Sequence, residues 1–208
     1  MIRFAAFGSV TLASAALMSL AACNAPPPAE PAEPAQSAAP AAPAPTPGAP
    51  VSAADKLTAA GFGPLRIGMN RAEIEAALGP DANPDAVGGP EPERCDMFRP
   101  ARAPEGLLVM VVDGVLDSVW VSRNAAVETD RALNVGDTAT EVKRVYGAEA
   151  VMTPHKYEAA PSEYITVWST TDHEGPSARG LKYEIGSDGR VKTIAGGGAS
   201  IQYVEGCA

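Results

Sequence analysis

The stretch Leu65-Arg-Ile-Gly-Met-Asn-Arg-Ala-Glu-Ile-Glu-Ala-Ala-Leu-Gly79 returns 68 positions later as Leu133-Asn-Val-Gly-Asp-Thr-Ala-Thr-Glu-Val-Lys-Arg-Val-Tyr-Gly147. Leu65 matches Leu133, Gly68 matches Gly136, Glu73 matches Glu141 and Gly79 matches Gly147. Each copy reads as a short strand, a tight turn and a capped helix. In the first, Asn70 can accept from the N–H of Glu73 while Glu73 reaches back to the N–H of Asn70, a capping box, and Met69 and Ile74 have the spacing of a hydrophobic staple. Ile74, Ala77 and Leu78 make one apolar face; Gly79 ends the helix and Pro80 prevents its resumption. In the second, Thr138 and Glu141 rebuild the box, and Val142, Val145 and Tyr146 rebuild the face. The matches fall where helix geometry needs them, which points to an internal duplication, with one repeat over about 51–124 and the other over 125–208.

Upstream of the duplicated part the chain changes character twice. Arg3 and the amino terminus precede an apolar run from Phe4 to Leu20, and Leu20-Ala-Ala-Cys23 follows. That ending is similar to the lipobox of bacterial lipoproteins. The resemblance implies a signal peptide over 1–22, with Cys23 as the lipidated mature N-terminus and a membrane as partner through the lipid. An ordinary secretory signal or a membrane span is the other reading, and the run is short and alanine-rich for a span. Two or more acyl chains anchor stably where one binds marginally. Asn24 stands where an aspartate would mark inner-membrane retention in enteric bacteria, which favours the periplasmic face of the outer membrane.

Residues 24–50 contain ten prolines and ten alanines in 27 positions and no large apolar side chain. Such a segment has no apolar burial to offset the cost of ordering. It is expected to form a semi-rigid polyproline spacer, reaching roughly 80 Å at about 3.1 Å per residue. The remaining 51–208 suits one α+β domain, two tandem repeats of short helices on an antiparallel sheet, burying about 70% of its unfolded surface.

The spacing predicts a first helix over Ser52–Gly61, capped by Ser52. A loop rich in Pro, Gly and Asp is expected over 80–106. Strands are expected at Leu107–Val112 and Val115–Arg123, joined at Asp113-Gly114, and at Leu181–Gly186 and Arg190–Ile194, joined at Ser187-Asp-Gly189. Tyr164–Thr170 and Ile201–Val204 read as further strands.

The chain carries 16 basic and 25 acidic side chains. Removing 1–22 takes away Arg3 and no acid, which leaves 15 − 25 = −10. An acidic surface disfavours nucleic acid. With Cys23 lipidated, Cys95 and Cys207 remain, and an oxidising compartment favours a bridge between them. It would close about a hundred residues, worth up to about 4.7 kcal/mol in the chain-entropy model. A redox or metal-binding pair is the competing reading.

The Gly-Met-Asn-x-x-Glu-Ile…Leu-Gly unit and its second copy resemble the tandem helix-and-sheet repeats of the β-lactamase-inhibitor-protein-like fold. They also resemble the small lipoproteins that assist outer-membrane β-barrel assembly. Residues 51–208, with His155-Lys-Tyr157 and Tyr203-Val-Glu-Gly-Cys207, are similar to exported lipoproteins of proteobacteria. The duplication and the bridge go with the inhibitor-like group; the assembly accessories have a single repeat.

Catalytic signals are sparse. Asp172-His173-Glu174 can be drawn as a metal site, but adjacent loop side chains seldom converge on one ion, and His155 reads as a local hydrogen-bonding residue. Asp81-Ala-Asn83-Pro-Asp85 opens like a calcium loop but has Ala86 and Pro92 where glycine and glutamate are required. No nucleophile elbow, phosphate-cradling loop or dinucleotide fingerprint is present. The expectation is therefore a binding lipoprotein that is not an enzyme, with no metal and no cofactor. An assembly or envelope-integrity scaffold, and an enzyme without a recognisable motif, are the alternatives. Strand alternation sets Trp120 opposite Val119 and Val121, and sets Tyr164 and Trp168 opposite Ile165 and Val167. These rings are candidates to bind a protein or a glycan, or else to pack beneath a loop or along the seam between repeats.

Overall fold

The computed structural model describes residues 52, 55–86, 88–122 and 125–208. The signal peptide, Cys23 and the spacer of the sequence reading lie outside these residues. Three two-residue strands, β1 (Leu57–Thr58), β2 (Gly61–Phe62) and β3 (Leu65–Arg66), form a small antiparallel sheet in that order. Helix α1 (Arg71–Leu78) follows, then β4 (Cys95–Phe98), β5 (Leu107–Val112) and β6 (Val115–Ser122). Helix α2 (Ala139–Tyr146) leads through a 3₁₀ turn at Gly147–Glu149 to β7 (Val151–Pro154), β8 (Glu163–Trp168), β9 (Gly180–Ile185) and β10 (Val191–Gly197). Strands β4 to β10 make one antiparallel sheet in the order β4-β5-β6-β10-β9-β8-β7. The class is α+β, with few helices and antiparallel sheets. No helix among the described residues is long and apolar enough to cross a membrane.

Strand alternation fixes the core. Leu107, Val109 and Val111 of β5, Val119 and Val121 of β6, and Ile165 and Val167 of β8 share one face with Leu181, Tyr183 and Ile185 of β9. The helices close that face. Ile74, Ala77 and Leu78 are buried from α1, and Val142 and Tyr146 from α2. Tyr146 and Tyr183 share a 2.8 Å hydroxyl–hydroxyl bond inside the core, and burial pushes both phenols up.

The two copies of the sequence unit dock alike. Gly68 donates to the Leu116 carbonyl at 2.8 Å, and Leu116 donates back to Met69 at 2.7 Å. Gly136 donates to Val191 at 2.8 Å, and Val191 donates back to Asp137 at 2.9 Å. The Asn70 box is complete, with Glu73 N to Asn70 Oδ1 at 3.0 Å and Asn70 N to Glu73 Oε2 at 2.8 Å. The Thr138 cap forms in half. Thr138 accepts from Glu141 N at 3.1 Å, but the Glu141 carboxylate turns instead to Arg144, at 2.6 and 3.1 Å. An ion pair one turn along replaces the back-reach.

Four sequence expectations change. Over the expected helix Ser52–Gly61, the described residues carry β1, a turn and the start of β2. Leu57 N donates to Glu128 O and Asp130 N to Leu57 O, so long-range pairing overrides the local pattern. Gly61, at φ +136, passes so close to the Leu65 carbonyl that a Cβ would collide with it. The loop 80–106 contains β4, whose Asp96 faces inward against Arg71 of α1. The expected strand Ile201–Val204 is instead a 3₁₀ turn, Ala199–Gln202, followed by a tail of bends and a turn in which Ala208 N donates to Glu205 O at 3.3 Å. Strand β7 has no counterpart in the reading: all four of its residues are exposed, so it carries no alternation.

Candidate functional site: the tail-covered face of the sheet

The second face of the large sheet is lined by alternating residues that the helices leave uncovered. Cross-strand pairing sets Trp120 beside Ala195, Ala195 beside Lys182 and Lys182 beside Thr166. It also sets Trp168 beside Gly180, Gly180 beside Gly197 and Gly197 beside Ser118. The alternation therefore does place Trp120, Tyr164 and Trp168 on one face. It does not gather them into one patch, since Trp120 and β8 are three strands apart, about 14 Å at the usual strand spacing.

Each ring has its own surroundings. Trp120 is half-buried and donates from Nε1 to Ser118 Oγ at 2.8 Å. Ser118 is fully buried and shares a 2.7 Å bond with Ser200 Oγ. Trp168, also half-buried, stacks on His173 with centroids 4.5 Å apart and planes 10° apart. A Cβ on neighbouring Gly180 would meet the Trp168 ring at 2.7 Å, so this position must stay small. Tyr164 is buried. His155 stacks on its ring at 4.6 Å, and Lys182 Nζ lies 4.3 Å from the ring centre. Among the described residues the buried Tyr164 hydroxyl meets no partner at full hydrogen-bond geometry, and burial pushes its pKa up against the weaker pull of the Lys156 backbone.

The chain's own end covers this face. After the 3₁₀ turn the tail crosses from β10 toward β4, where Cys207 bridges to Cys95 with Cα atoms 5.4 Å apart. The disulfide expectation is met. Asp117 Oδ2 accepts from Ser200 N at 2.8 Å and fixes the root of the tail. Lys182 Nζ donates to the carbonyls of Tyr203 at 3.0 Å and Gln202 at 3.4 Å. Only 6% of Lys182 is exposed, and burial depresses its pKa to about 8 against the opposing pull of Glu184. Glu184 also faces His155 Nε2 at 3.4 Å. His155 Nδ1 accepts from the amides of Tyr157 and Glu158, which leaves the ring proton on Nε2, toward Glu184.

This arrangement gathers polar groups beneath the tail. Lys182, Glu184 and His155 sit within one cluster, yet the lysine is occupied by the tail's carbonyls. Asp172 spends its carboxylate on its own turn, accepting from Glu174 N, Gly175 N and Ser177 Oγ, while His173 stacks away on Trp168. Among the described residues no group of three or more His, Cys, Asp or Glu is placed to hold a metal ion. Sequence reasoning missed Lys182 and the Ser118–Ser200 pair. Lys182 had one available signal, a lysine at an alternate position within the apolar strand Leu181-Lys-Tyr-Glu-Ile185. Comparison of the chain with protein-family models, curated proteins and solved structures gives no match.

Proposed function

We propose that this protein is a lipid-anchored, non-catalytic binding module, held off a bacterial envelope membrane on its periplasmic face by a stiff spacer. The observation that carries the reading is the succession Leu20-Ala-Ala-Cys23, a 27-residue Pro/Ala segment and a folded domain. A cysteine at that place offers an acylation site, and the spacer supplies reach without a core of its own. The outer membrane is the favoured location because Asn24, not aspartate, follows the cysteine.

We further read the domain as two tandem repeats of the inhibitor-like kind. The 68-residue offset between the copies, and the paired docking of Gly68 and Gly136 on β6 and β10, support that reading. The partner would be a protein or a glycan. Trp120 and Trp168 are the candidate contacts among the original three rings, because Tyr164 is buried. Tyr157 and Tyr203, 60% and 46% exposed, add amphipathic rings beside the tail, the residue type that dominates binding hot spots.

The test is crosslinked capture from intact cells, with the native protein and Cys23→Ser side by side. The anchored form should partition into detergent and enrich a defined envelope partner, and Cys23→Ser should lose both. Unchanged detergent partitioning of Cys23→Ser overturns the anchor. Capture of the same set of proteins by the native chain and an unrelated lipoprotein overturns the binding reading.

A further inference from the structure

We infer that Tyr203–Ala208 is a redox-gated strap: the Cys95–Cys207 bridge holds it closed over Lys182 and Met97, and a dithiol that reduces the bridge lets it lift while the rest of the domain stays folded. This needs only the folded domain, so it stands or falls apart from acylation at Cys23.

The root and the strap are held differently. Ser200 and Ile201 are buried, and Ser200 is bonded to both Asp117 and Ser118, so the 3₁₀ turn belongs to the core. Beyond it, Tyr203, Glu205 and Ala208 are exposed and Val204 is half-buried. The strap buries only its tip. Cys207 is 8% exposed, and a Cβ at Gly206 would meet Met97 Sδ at 2.5 Å. Among the described residues its other hydrogen bonds to the domain are Tyr203 N to Ser200 O at 3.0 Å, at the root, the Lys182 bond to the Tyr203 carbonyl and a bond from the Tyr157 hydroxyl to Glu205. A segment with so little apolar burial opens locally at low cost once its covalent tie is gone.

The bridge is also approachable. A hollow of about 380 Å³ meets Cys95 and Cys207 on one side, bounded by Lys156 and Tyr203. A second, of about 240 Å³, meets them on the other, bounded by Arg94 and Val112. Charges of both signs line these hollows, Lys156 and Glu205 in the first and Arg94, Glu91 and Asp113 in the second, with Arg94 paired to Glu91 at 3.4 Å, so what they offer an attacking thiolate is access. In the proposed step a thiolate of the dithiol attacks one sulfur and forms a mixed disulfide, releasing the other cysteine. The second thiol then closes the reductant's own disulfide. Two electrons and two protons pass to the bridge, leaving Cys95 and Cys207 as thiols. Lys182 then loses the Tyr203 carbonyl, its shorter bond, keeps only the 3.4 Å contact with the Gln202 carbonyl of the root, and its amine comes within reach of solvent.

The test uses the full-length protein in detergent, oxidised, then treated with a thioredoxin-type dithiol. Lys182 acetylation by an amine-reactive ester is read by peptide mass mapping, amide exchange over 203–208 by mass spectrometry, and folding by far-ultraviolet circular dichroism. Reduction should raise Lys182 acetylation by about tenfold or more and speed exchange in the strap, with the dichroism unchanged. Cys207→Ser should show the open values with no reductant. Equal Lys182 labelling in the oxidised, reduced and Cys207→Ser proteins overturns the strap. So does loss of the dichroism on reduction, which would make the bridge a staple of the whole fold, or a bridge that yields to the dithiol only in denaturant.

Discussion

The two faces of the seven-stranded sheet are closed by different means. On one, α1 and α2 press Ile74, Leu78, Val142 and Tyr146 onto a continuous aliphatic layer. On the other, a tail with few apolar side chains is fixed by a disulfide, a serine pair, an aspartate and a lysine. The first face is held by area removed from water, spread over many residues. The second rests on a handful of directional bonds, each separately removable. A sheet closed this way has one face that can only melt with the domain and one that can change state while the domain persists.

The largest effect should come from the helix face. Ile74→Ala removes a fully buried side chain from beneath α1 and should cost about 3 kcal/mol or more in denaturant unfolding. A cost below about 1 kcal/mol would show that this face is loosely packed and would erase the contrast. Next, Cys95→Ser with Cys207→Ser should cost about 2–4 kcal/mol, because the unfolded chain loses a long loop constraint. The variant should nevertheless unfold in one transition from a folded state. Trp120→Ala and Trp168→Ala come third, at about 1–3 kcal/mol each, since both rings are half-buried and one is hydrogen-bonded. If either instead leaves the melting temperature unmoved and abolishes partner capture, that ring belongs to a binding surface.

The same contrast governs what could be read in advance. The helix face follows short-range rules: the cap at Asn70, the i, i+3, i+4 spacing of Ile74, Ala77 and Leu78, and the Asp113-Gly114 turn are local in the chain. The tail face depends on pairs such as Ser118 with Ser200 and Asp117 with Ser200, some eighty residues apart, and no periodicity announces them. Strand β4 was hidden for a related reason. Its inward Asp96 looks like a solvent residue until Arg71 of α1 is placed against it. The disulfide was legible because cysteine arithmetic ignores distance along the chain. Leu57 shows the reverse error, a local helix pattern overridden by pairing with Thr129.

The effect most specific to the tail face is its pH dependence through Lys182. Its pKa falls from 10.5 to about 8 because burial under the tail disfavours the ammonium. At pH 7 both the folded and the unfolded chain hold that proton, and the folded state bears the whole cost of burying the charge. Between about 8 and 10.5 the folded state has released the proton while the unfolded state keeps it. The unfolded state then binds more protons, so this residue makes stability rise with pH across that window. Other lysines and tyrosines titrate there too, so the measurement is a difference between wild type and Lys182→Met at pH 7.5, 9 and 10. Wild type should gain on the variant as the pH rises, and a gap that stays constant would mean that Lys182 is not held in a charge-disfavouring site. Cys207→Ser then joins the two halves of the comparison. If the clasp alone keeps the tail over Lys182, opening it returns the lysine to water, raises its pKa and flattens the wild-type rise without loss of fold.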